Sequence, residues 1–328
     1  VGFGPSNLAL AIAITEHNES GGDAVARPLT AAFLESKRSF GWHDGMLIDG
    51  ATMQISFLKD LVTLRNPTSP FSFLAYLHAR GRLIDFINHK LLFPTRIEYH
   101  DYLSWCAEQL RDFVCYGRSV VSVRPVGHDG LVTHYDVISR DRQGDDLQVT
   151  SARNLVIAPG LTSWLPAGVR ASRRIWHSHT LLHDLATFTS AEAPRRFFVV
   201  GAGQSGAEVV DYLHRSYPRA EVCAVFSRFG YSQAEDSPFA NQIFDPSAVD
   251  VYYHSPPAVK ASLLSYHSNT NYSVVDVDLI EELYRRVYHE KIVGVSRLRV
   301  FNVSQLTGVE ETTDGVIVTV RYLPTGEE

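Results

Sequence analysis

Arg196-Phe197-Phe198-Val199-Val200-Gly201-Ala202-Gly203-Gln204-Ser205-Gly206 is an apolar, β-prone run that breaks into an intact G-x-G-x-x-G. Residues 207–216 follow with apolar side chains at helical spacing, and residues 221–226 read as the next strand. Strand, glycine turn and helix in that order make a dinucleotide-binding unit. The first glycine permits the tight turn, the second lets backbone N–H groups approach a pyrophosphate, and the helix N-terminus adds partial positive charge beside it. Gly201, Gly203, Gln204 and Ser205 are therefore candidate dinucleotide contacts.

Working outward, the chain opens on a second unit of the same kind. Gly2-Phe3-Gly4-Pro5-Ser6-Asn7 precedes a helix-like segment at residues 8–15, and a strand-like segment at residues 29–34 ends in Glu35. Asn7 stands where the third glycine would be; it tolerates a tight turn but is bulkier. One G-x-G-x-x-G alone is weak, because glycines also mark ordinary turns; two in strand–turn–helix context are much stronger. The strand ends separate the ligands. Glu35 offers a carboxylate to ribose hydroxyls, although an insertion at residues 18–27 sets it beyond the usual distance of about 20 residues, and this suits the adenosine ribose of FAD. The corresponding strand of the later unit ends Phe226-Ser227-Arg228, where a guanidinium suits a 2′-phosphate and hence NADPH over NADH.

Composition narrows the class. With 328 residues, 45% of them hydrophobic, the chain can bury a sizeable core in two or three subdomains. A net charge of −6 lacks the basic footprint that nucleic acid attracts, and no apolar run approaches the roughly 18 to 20 residues that span a bilayer. We expect neither a nucleic-acid nor a membrane partner. Cys106, Cys115 and Cys223 lie far apart with no C-x-x-C spacing, which fits a cytoplasmic protein without a disulfide framework. His177, His179 and His183 lack convincing carboxylate or cysteine partners, so no metal site is expected. Val1 is the only apolar residue before the first glycine turn and a polar tail ends at Glu328; we expect the natural protein to continue at both ends.

Between the two units we expect helices at residues 71–79 and 96–113, β-segments around 119–126, 134–140 and 147–150, and a buried strand at 154–158 running into a turn at Pro159-Gly160. Residues 227–272 turn aromatic, Asn-rich and Ser-rich, with Pro238, Pro246, Pro256 and Pro257 breaking regular structure before a helix at 277–289. That segment is too aromatic to stay solvated, so it reads as an insertion covering a site. The fold expected is α/β, a two-dinucleotide-binding-domain flavoprotein with Rossmann-like FAD and NADPH domains. Residues 1–160 would form the FAD domain, completed by sequence beyond Glu328. Residues 161–228 and 290–328 would form the NADPH domain, and 229–289 a small substrate-binding insertion.

Such a chain passes hydride from nicotinamide to flavin. A disulfide reductase would need a redox cysteine pair after the first unit, and none is present. Other flavin monooxygenases carry a phenylalanine–glycine–histidine fingerprint to which Ile175-Trp176-His177-Ser178-His179 is only loosely similar. A monooxygenase of another amine, sulfide or ketone therefore stays open, as does a dinucleotide sensor with degenerate sites.

Four segments bear on this choice: Met53-Gln54-Ile55-Ser56-Phe57-Leu58-Lys59-Asp60-Leu61-Val62-Thr63-Leu64-Arg65-Asn66-Pro67, the turn Gly2 to Leu8, Asp236-Ser237-Pro238-Phe239-Ala240-Asn241, and Asn269-Thr270-Asn271-Tyr272-Ser273. Together they resemble the L-ornithine N5-monooxygenase and L-lysine N6-monooxygenase family, over essentially the whole chain. The resemblance implies an FAD- and NADPH-dependent N-hydroxylation with O2 as co-substrate, in siderophore or related biosynthesis, by a homo-oligomer. The segments around Met53-Gln54-Ile55-Ser56 and Leu64-Arg65-Asn66-Pro67 look more like the ornithine branch, with L-lysine the alternative substrate. It further implies that Gly2, Gly4, Pro5, Ser6, Asn7, Leu8, Glu35 and Gln54 meet FAD, Gln54 beside the flavin. Lys59 resembles the lysine that holds the substrate carboxylate, Asn241 the asparagine that holds the substrate, and Asn271 the one near both NADP and substrate. Gln54 and Asn271 are thus the residues nearest the chemistry, and Arg228 approximates the arginine for the 2′-phosphate. Lys59 also sits in an apolar run, and a buried cation needs an anion, which an amino-acid carboxylate would supply.

Overall fold

The computed structural model describes residues 1–20, 28–144, 146–189, 193–270 and 273–328. The chain divides into two compact units, Val1–Ser163 and Trp164–Glu328.

In the first unit the glycine turn runs straight into helix α1 (Pro5–Ser20), and the chain returns through strand β1 (Phe33–Glu35). Asn18 closes that return by exchanging two hydrogen bonds with the backbone of Leu29, 2.8 and 2.9 Å long. Residues 21–27 of the expected insertion lie outside the described residues. Helices α2 (Phe73–Ala79), α3 (Leu83–His89) and α4 (Arg96–Gln109) come next. The Ser72 and Thr95 hydroxyl oxygens cap α2 and α4 by accepting from the N–H groups of Ala75 and Glu98. Strand β2 (Val114–Tyr116) pairs in parallel with β1, and β3 (Ser119–His128), β4 (Leu131–Arg140) and β5 (Leu147–Ala152) form an antiparallel meander.

The core of this unit is aromatic. Phe73 is fully buried, with its ring centre 5.3 Å from that of Tyr102 and 5.4 Å from that of Tyr76. Phe3, Leu8, Ala11 and Ile12 bring the glycine turn and α1 onto the same core. Residues 154–158 do not form the buried strand expected. Val156 and Ile157 are exposed, and the segment meets Val1 through two backbone bonds of 2.7 and 2.9 Å, too few to build a ladder.

The second unit contains α5 (Leu181–Leu185), β6 (Arg196–Val200), α6 (Gln204–Ser216), β7 (Glu221–Val225), α7 (Pro246–His254), α8 (Pro257–Tyr266), α9 (Val277–Val293), β8 (Leu298–Phe301) and the hairpin β9 (Ser304–Glu311) with β10 (Val316–Tyr322). Strands β6, β7 and β8 form a parallel sheet in that order. Val209, Val210 and Leu213 of α6 are buried. His214 Nε2 and Glu290 Oε1, 2.7 Å apart, tie α6 to α9. The other oxygen of Glu290 accepts from the N–H groups of Arg297 and Leu298 at 2.7 and 2.8 Å, fixing the entry to β8. Two of the prolines expected to break structure instead begin helices: Pro246 and Pro257 occupy the first turns of α7 and α8, where a missing N–H costs nothing. Neither helix buries a residue, and Phe229, Phe239, Tyr253 and Tyr266 are exposed within this chain, contrary to the expectation that aromatic content would keep the segment from solvent.

Candidate functional site

The first glycine turn is held from both sides. Gly2 donates to the Leu34 carbonyl of the strand-like return at 2.9 Å, and its φ of +83° is one that only glycine adopts without strain. A Cβ there would lie 2.3 Å from the Ala158 oxygen. Around Gly4, by contrast, a Cβ would meet nothing within 4 Å, so backbone is open to a ligand on that side. Asn7 is buried, and its side-chain amide donates to the Gly2 carbonyl at 2.6 Å and the Val1 carbonyl at 3.2 Å. It therefore acts on the turn. The Leu8 side chain is likewise in the core, whereas Ser6 is exposed. Glu35 accepts from the Phe3 N–H at 2.7 Å and from the Lys37 N–H at 2.8 Å, which sets its carboxylate at the end of β1 against the turn.

The segment from Met53 to Pro67 is anchored at intervals. Met53 and Phe57 donate to the carbonyls of Pro94 and Leu92, both at 2.9 Å, which leaves Gln54 exposed on the span between them. Asp60 accepts from the backbone of Val62, Thr63 and Phe73 at 2.7 to 2.9 Å and so locks the next turn onto α2. Farther along, Arg65 reaches the buried Glu16 of α1 at 2.5 Å, and the Asn66 amide donates to the same carboxylate at 3.2 Å. Lys59 lies in a turn closed by its own N–H to the Ser56 carbonyl at 2.9 Å. It is half-buried, and its neighbours Ile55 and Leu58 are exposed, so the expected burial of this cation is only partial.

In the second unit, α6 presses closely on its turn: a Cβ on Gly206 would stand 2.7 Å from the Gly201 oxygen. Ser205 is exposed at the start of the helix. Gln204, beside it, points its carboxamide elsewhere. Its Oε1 accepts from the Asp276 N–H at 2.9 Å, and its Nε2 donates to the carboxylates of Asp276 and Glu208 at 3.0 and 3.1 Å. Arg228 is exposed just beyond β7 and donates from Nη1 to the Ser273 carbonyl at 3.0 Å. Asn241 lies in a 3-10 helix (Ala240–Phe244), with its amide donating to the Asp236 carbonyl at 2.7 Å. Asn271 lies outside the described residues.

The structure thus gathers Gly2, Gly4, Pro5, Ser6 and Glu35 at one turn of the first unit. It gathers Gly201, Gly203, Gln204, Ser205 and Arg228 at one turn of the second. Among the described residues, no three His, Cys, Asp or Glu side chains converge as metal ligands. Burial pushes the Cys223 thiol up to about 11, and Cys106 is buried and shifted upward as well, so neither is a poised nucleophile.

The family model described as L-lysine 6-monooxygenase/L-ornithine 5-monooxygenase matches residues 1–328. The chain belongs to this family. Among its relatives is the L-ornithine N(5)-monooxygenase of Pseudomonas aeruginosa, 39% identical over 100% of this chain and 73% of the relative. Among solved structures, the ornithine N-hydroxylase of Kutzneria sp. 744, in a complex described as reduced FAD, NADP+ and L-ornithine, is 42% identical. It superposes with a TM-score of 0.93 over 99% of this chain and 76% of its own. The L-lysine 6-monooxygenase of Pseudomonas syringae gives 30% identity and a TM-score of 0.82, over 99% of this chain and 76% of its own. The α/β flavoprotein fold with two dinucleotide-binding domains, expected from the glycine turns, is the fold of this family.

Two residues have contacts at a glycine turn that the sequence did not signal, although Ser273 ends one of the segments that carry the resemblance. Ser273 and Asp276 meet the second glycine turn from a distant part of the chain. Asp276 precedes the helical pattern of α9 and reads as an ordinary N-cap, yet its side chain makes no capping bond. Nothing in its neighbours signals that its partner is 72 residues away.

Proposed function

We propose that this protein is an FAD- and NADPH-dependent L-ornithine N5-monooxygenase, making N5-hydroxyornithine for siderophore or related biosynthesis. The observation that supports ornithine is the closer likeness to the Kutzneria ornithine enzyme, 42% identity and TM-score 0.93, than to the lysine enzyme, 30% and 0.82. The residues suit both cofactors. Open backbone at Gly4 and the Glu35 carboxylate suit the pyrophosphate and ribose of FAD. The exposed Arg228 at the end of a parallel strand suits the 2′-phosphate of NADPH. Gly2, Pro5, Asn7 and Leu8 shape the first turn, and Gly201, Gly203 and Ser205 the second. Residues 1–160 serve as the FAD domain, 161–228 with 290–328 as the NADPH domain, and 229–289 as the substrate segment.

When bound and reduced by NADPH, FAD would supply the electrons that activate O2, one atom of which goes to the amine while the other leaves as water. The protein's own part is to bind and orient. Lys59 pairs with the substrate carboxylate, Asn241 holds the substrate, Asn271 serves near NADP and substrate, and Gln54 lies beside the flavin. An ammonium has no lone pair, so the site must take the amine neutral although its ordinary pKa is about 10.4. Withdrawal from water beside uncharged amides moves it that way. The enzyme is read as a cytoplasmic homo-oligomer; no helix among the described residues is long and apolar enough to cross a membrane.

The purified protein should be yellow, oxidise NADPH faster with L-ornithine present, and yield a hydroxylamine. NADPH oxidation stimulated by ornithine without hydroxylamine, or no stimulation at all, would overturn the reading. Lys59→Ala should weaken ornithine saturation while FAD content and flavin reduction without substrate persist. Loss of FAD with substrate affinity retained would remove Lys59 from the substrate site.

A further inference from the structure

The contacts of Gln204 explain little about dinucleotide binding. It occupies the position after the second glycine, where a side chain stands beside the pyrophosphate path, yet its oxygen and both of its amide N–H groups are engaged within the protein. Two of those three bonds go to Asp276. Two further contacts converge on the same short segment: Arg228 donates to the Ser273 carbonyl, and a Cβ on Gly203 would lie 3.6 Å from the Ser273 Cα. Ser273 itself adopts a φ of +57°, unusual for a residue with a side chain, and Val274 and Val275 behind it are buried. The segment is a fixed strap.

From the strap, hydrogen bonds lead to the segment that carries Asn241. Val275 donates to the Ser232 carbonyl at 2.9 Å and accepts from the Ala234 N–H at 3.2 Å. Glu235 donates from its N–H to the Asn269 carbonyl at 2.9 Å, and its carboxylate accepts from the Ser237 N–H at 3.0 Å. The Ser237 carbonyl in turn accepts from the Asn241 N–H at 2.9 Å. The route from the glycine turn to Asn241 is therefore continuous and lies wholly within the second unit. Arg228 uses only Nη1 on the strap; its remaining N–H groups meet no acceptor among the described residues, so a phosphate and the strap can share one guanidinium.

The geometry points to Gln204 and Asp276 as a positioning pair that links NADP occupancy to amino-acid binding, a role that rests on the function proposed above. Neither residue touches the reacting atoms. The pair holds the Asn241 frame against the turn that binds the dinucleotide, so that ordering one site lowers the cost of ordering the other. By linkage the effect is reciprocal, and a coupling of ordinary size changes affinity about fivefold or more.

The test measures the dissociation constant of L-ornithine for the FAD-loaded protein with and without saturating NADP+, and NADP+ affinity with and without ornithine. NADP+ should tighten ornithine binding about fivefold or more in the native protein. Gln204→Glu sets a carboxylate against those of Asp276 and Glu208, and should bring the ratio close to one. Adding Asp276→Asn supplies an amide donor to the new carboxylate and should restore it. FAD content and melting temperature report on folding; if Gln204→Glu does not fold, Gln204→Met removes the bonds without adding charge and should also bring the ratio to one. A native ratio of one, or an unchanged ratio in the variants, overturns the positioning role and leaves the enzyme assignment standing. Failure of the native protein to bind ornithine or NADP+ brings down the functional reading, and this inference with it.

Discussion

The two glycine turns solve one packing problem in opposite ways. In the second unit α6 comes so close to the Gly201 carbonyl that the third position must be glycine, since a Cβ on Gly206 would stand 2.7 Å from that oxygen. In the first unit the corresponding residue is Asn7, and its amide donates to the equivalent carbonyl, that of Gly2, at 2.6 Å. Direct helix contact in one unit is replaced by a buried hydrogen bond in the other. The strand ends differ too: Glu35 is engaged by the N–H groups of its own turn, while Arg228 is exposed and bonded to a distant strap. A departure from a motif can thus be a second way of meeting the same requirement.

The largest effect should come from adding a side chain where neither solution leaves room. Gly2→Ala combines an unfavourable φ with a 2.3 Å approach to the Ala158 oxygen, and should cost roughly 3 kcal/mol or more. Thermal unfolding and FAD content should both fall, with the second unit's NADP+ affinity spared; an FAD-replete Gly2→Ala of native stability would refute the reading of that turn. Asn7→Ala takes the side-chain donor from the Gly2 carbonyl and one of two donors from the Val1 carbonyl, which keeps the Ala158 N–H, and should cost about 2 kcal/mol. Asn7→Gly should lose FAD similarly, because the first unit depends on the amide rather than on close approach. Native FAD affinity in Asn7→Gly would mean that both turns pack alike.

Arg228→Ala should raise the NADPH Michaelis constant at least tenfold, since a charge-assisted bond is worth about 1.5 to 3 kcal/mol, and leave NADH nearly unchanged. Equal losses for both cofactors would break the contrast with Glu35. The smallest effect concerns acid. Burial pushes the Glu290 carboxyl upward, but the N–H groups of Leu298 and Arg297 and the His214 ring together hold it below its ordinary value of 4.5. A depressed carboxyl contributes stability above the unfolded value, and that contribution is lost as pH falls through the folded one. The second unit should therefore weaken below about pH 4.5, by no more than about 1.4 kcal/mol per pH unit for this single group. Urea unfolding at pH 5 and pH 4 in the native protein and in Glu290→Gln checks this; an identical pH dependence in the two would dismiss Glu290 as its source.

What the sequence made legible was local. The apolar run of β6, the glycines after it and the periodicity of α6 sit side by side in the chain, and so do Gly2, Gly4 and the start of α1. Residues 154–158 look like a buried strand by composition, but burial depends on what lies alongside, and the start of the chain at Val1 and Gly2 leaves Val156 and Ile157 exposed. Pro246 and Pro257 begin helices rather than break structure, because proline stops a helix from within yet starts one at its first turn. For the site, the position of Arg228 follows from its strand, whereas the bond from Gln204 to Asp276 joins residues with no shared local pattern. Within the signature segment, composition could not separate Asp60, Arg65 and Asn66, which brace the turn and α1, from Lys59 and Gln54.

The most direct test of the whole account is the amount of hydroxylated product formed per NADPH consumed, measured side by side with L-ornithine and L-lysine. The two substrates differ by one methylene, which a length-measuring pocket discriminates by about 1 to 3 kcal/mol, or roughly 10- to 200-fold. A misplaced amine also fails to meet the transferable oxygen. The account predicts close to one hydroxylated ornithine per NADPH, with lysine reacting poorly and releasing hydrogen peroxide instead. Tighter coupling with lysine would contradict the choice of ornithine, and no hydroxylated product from either would contradict the proposed function.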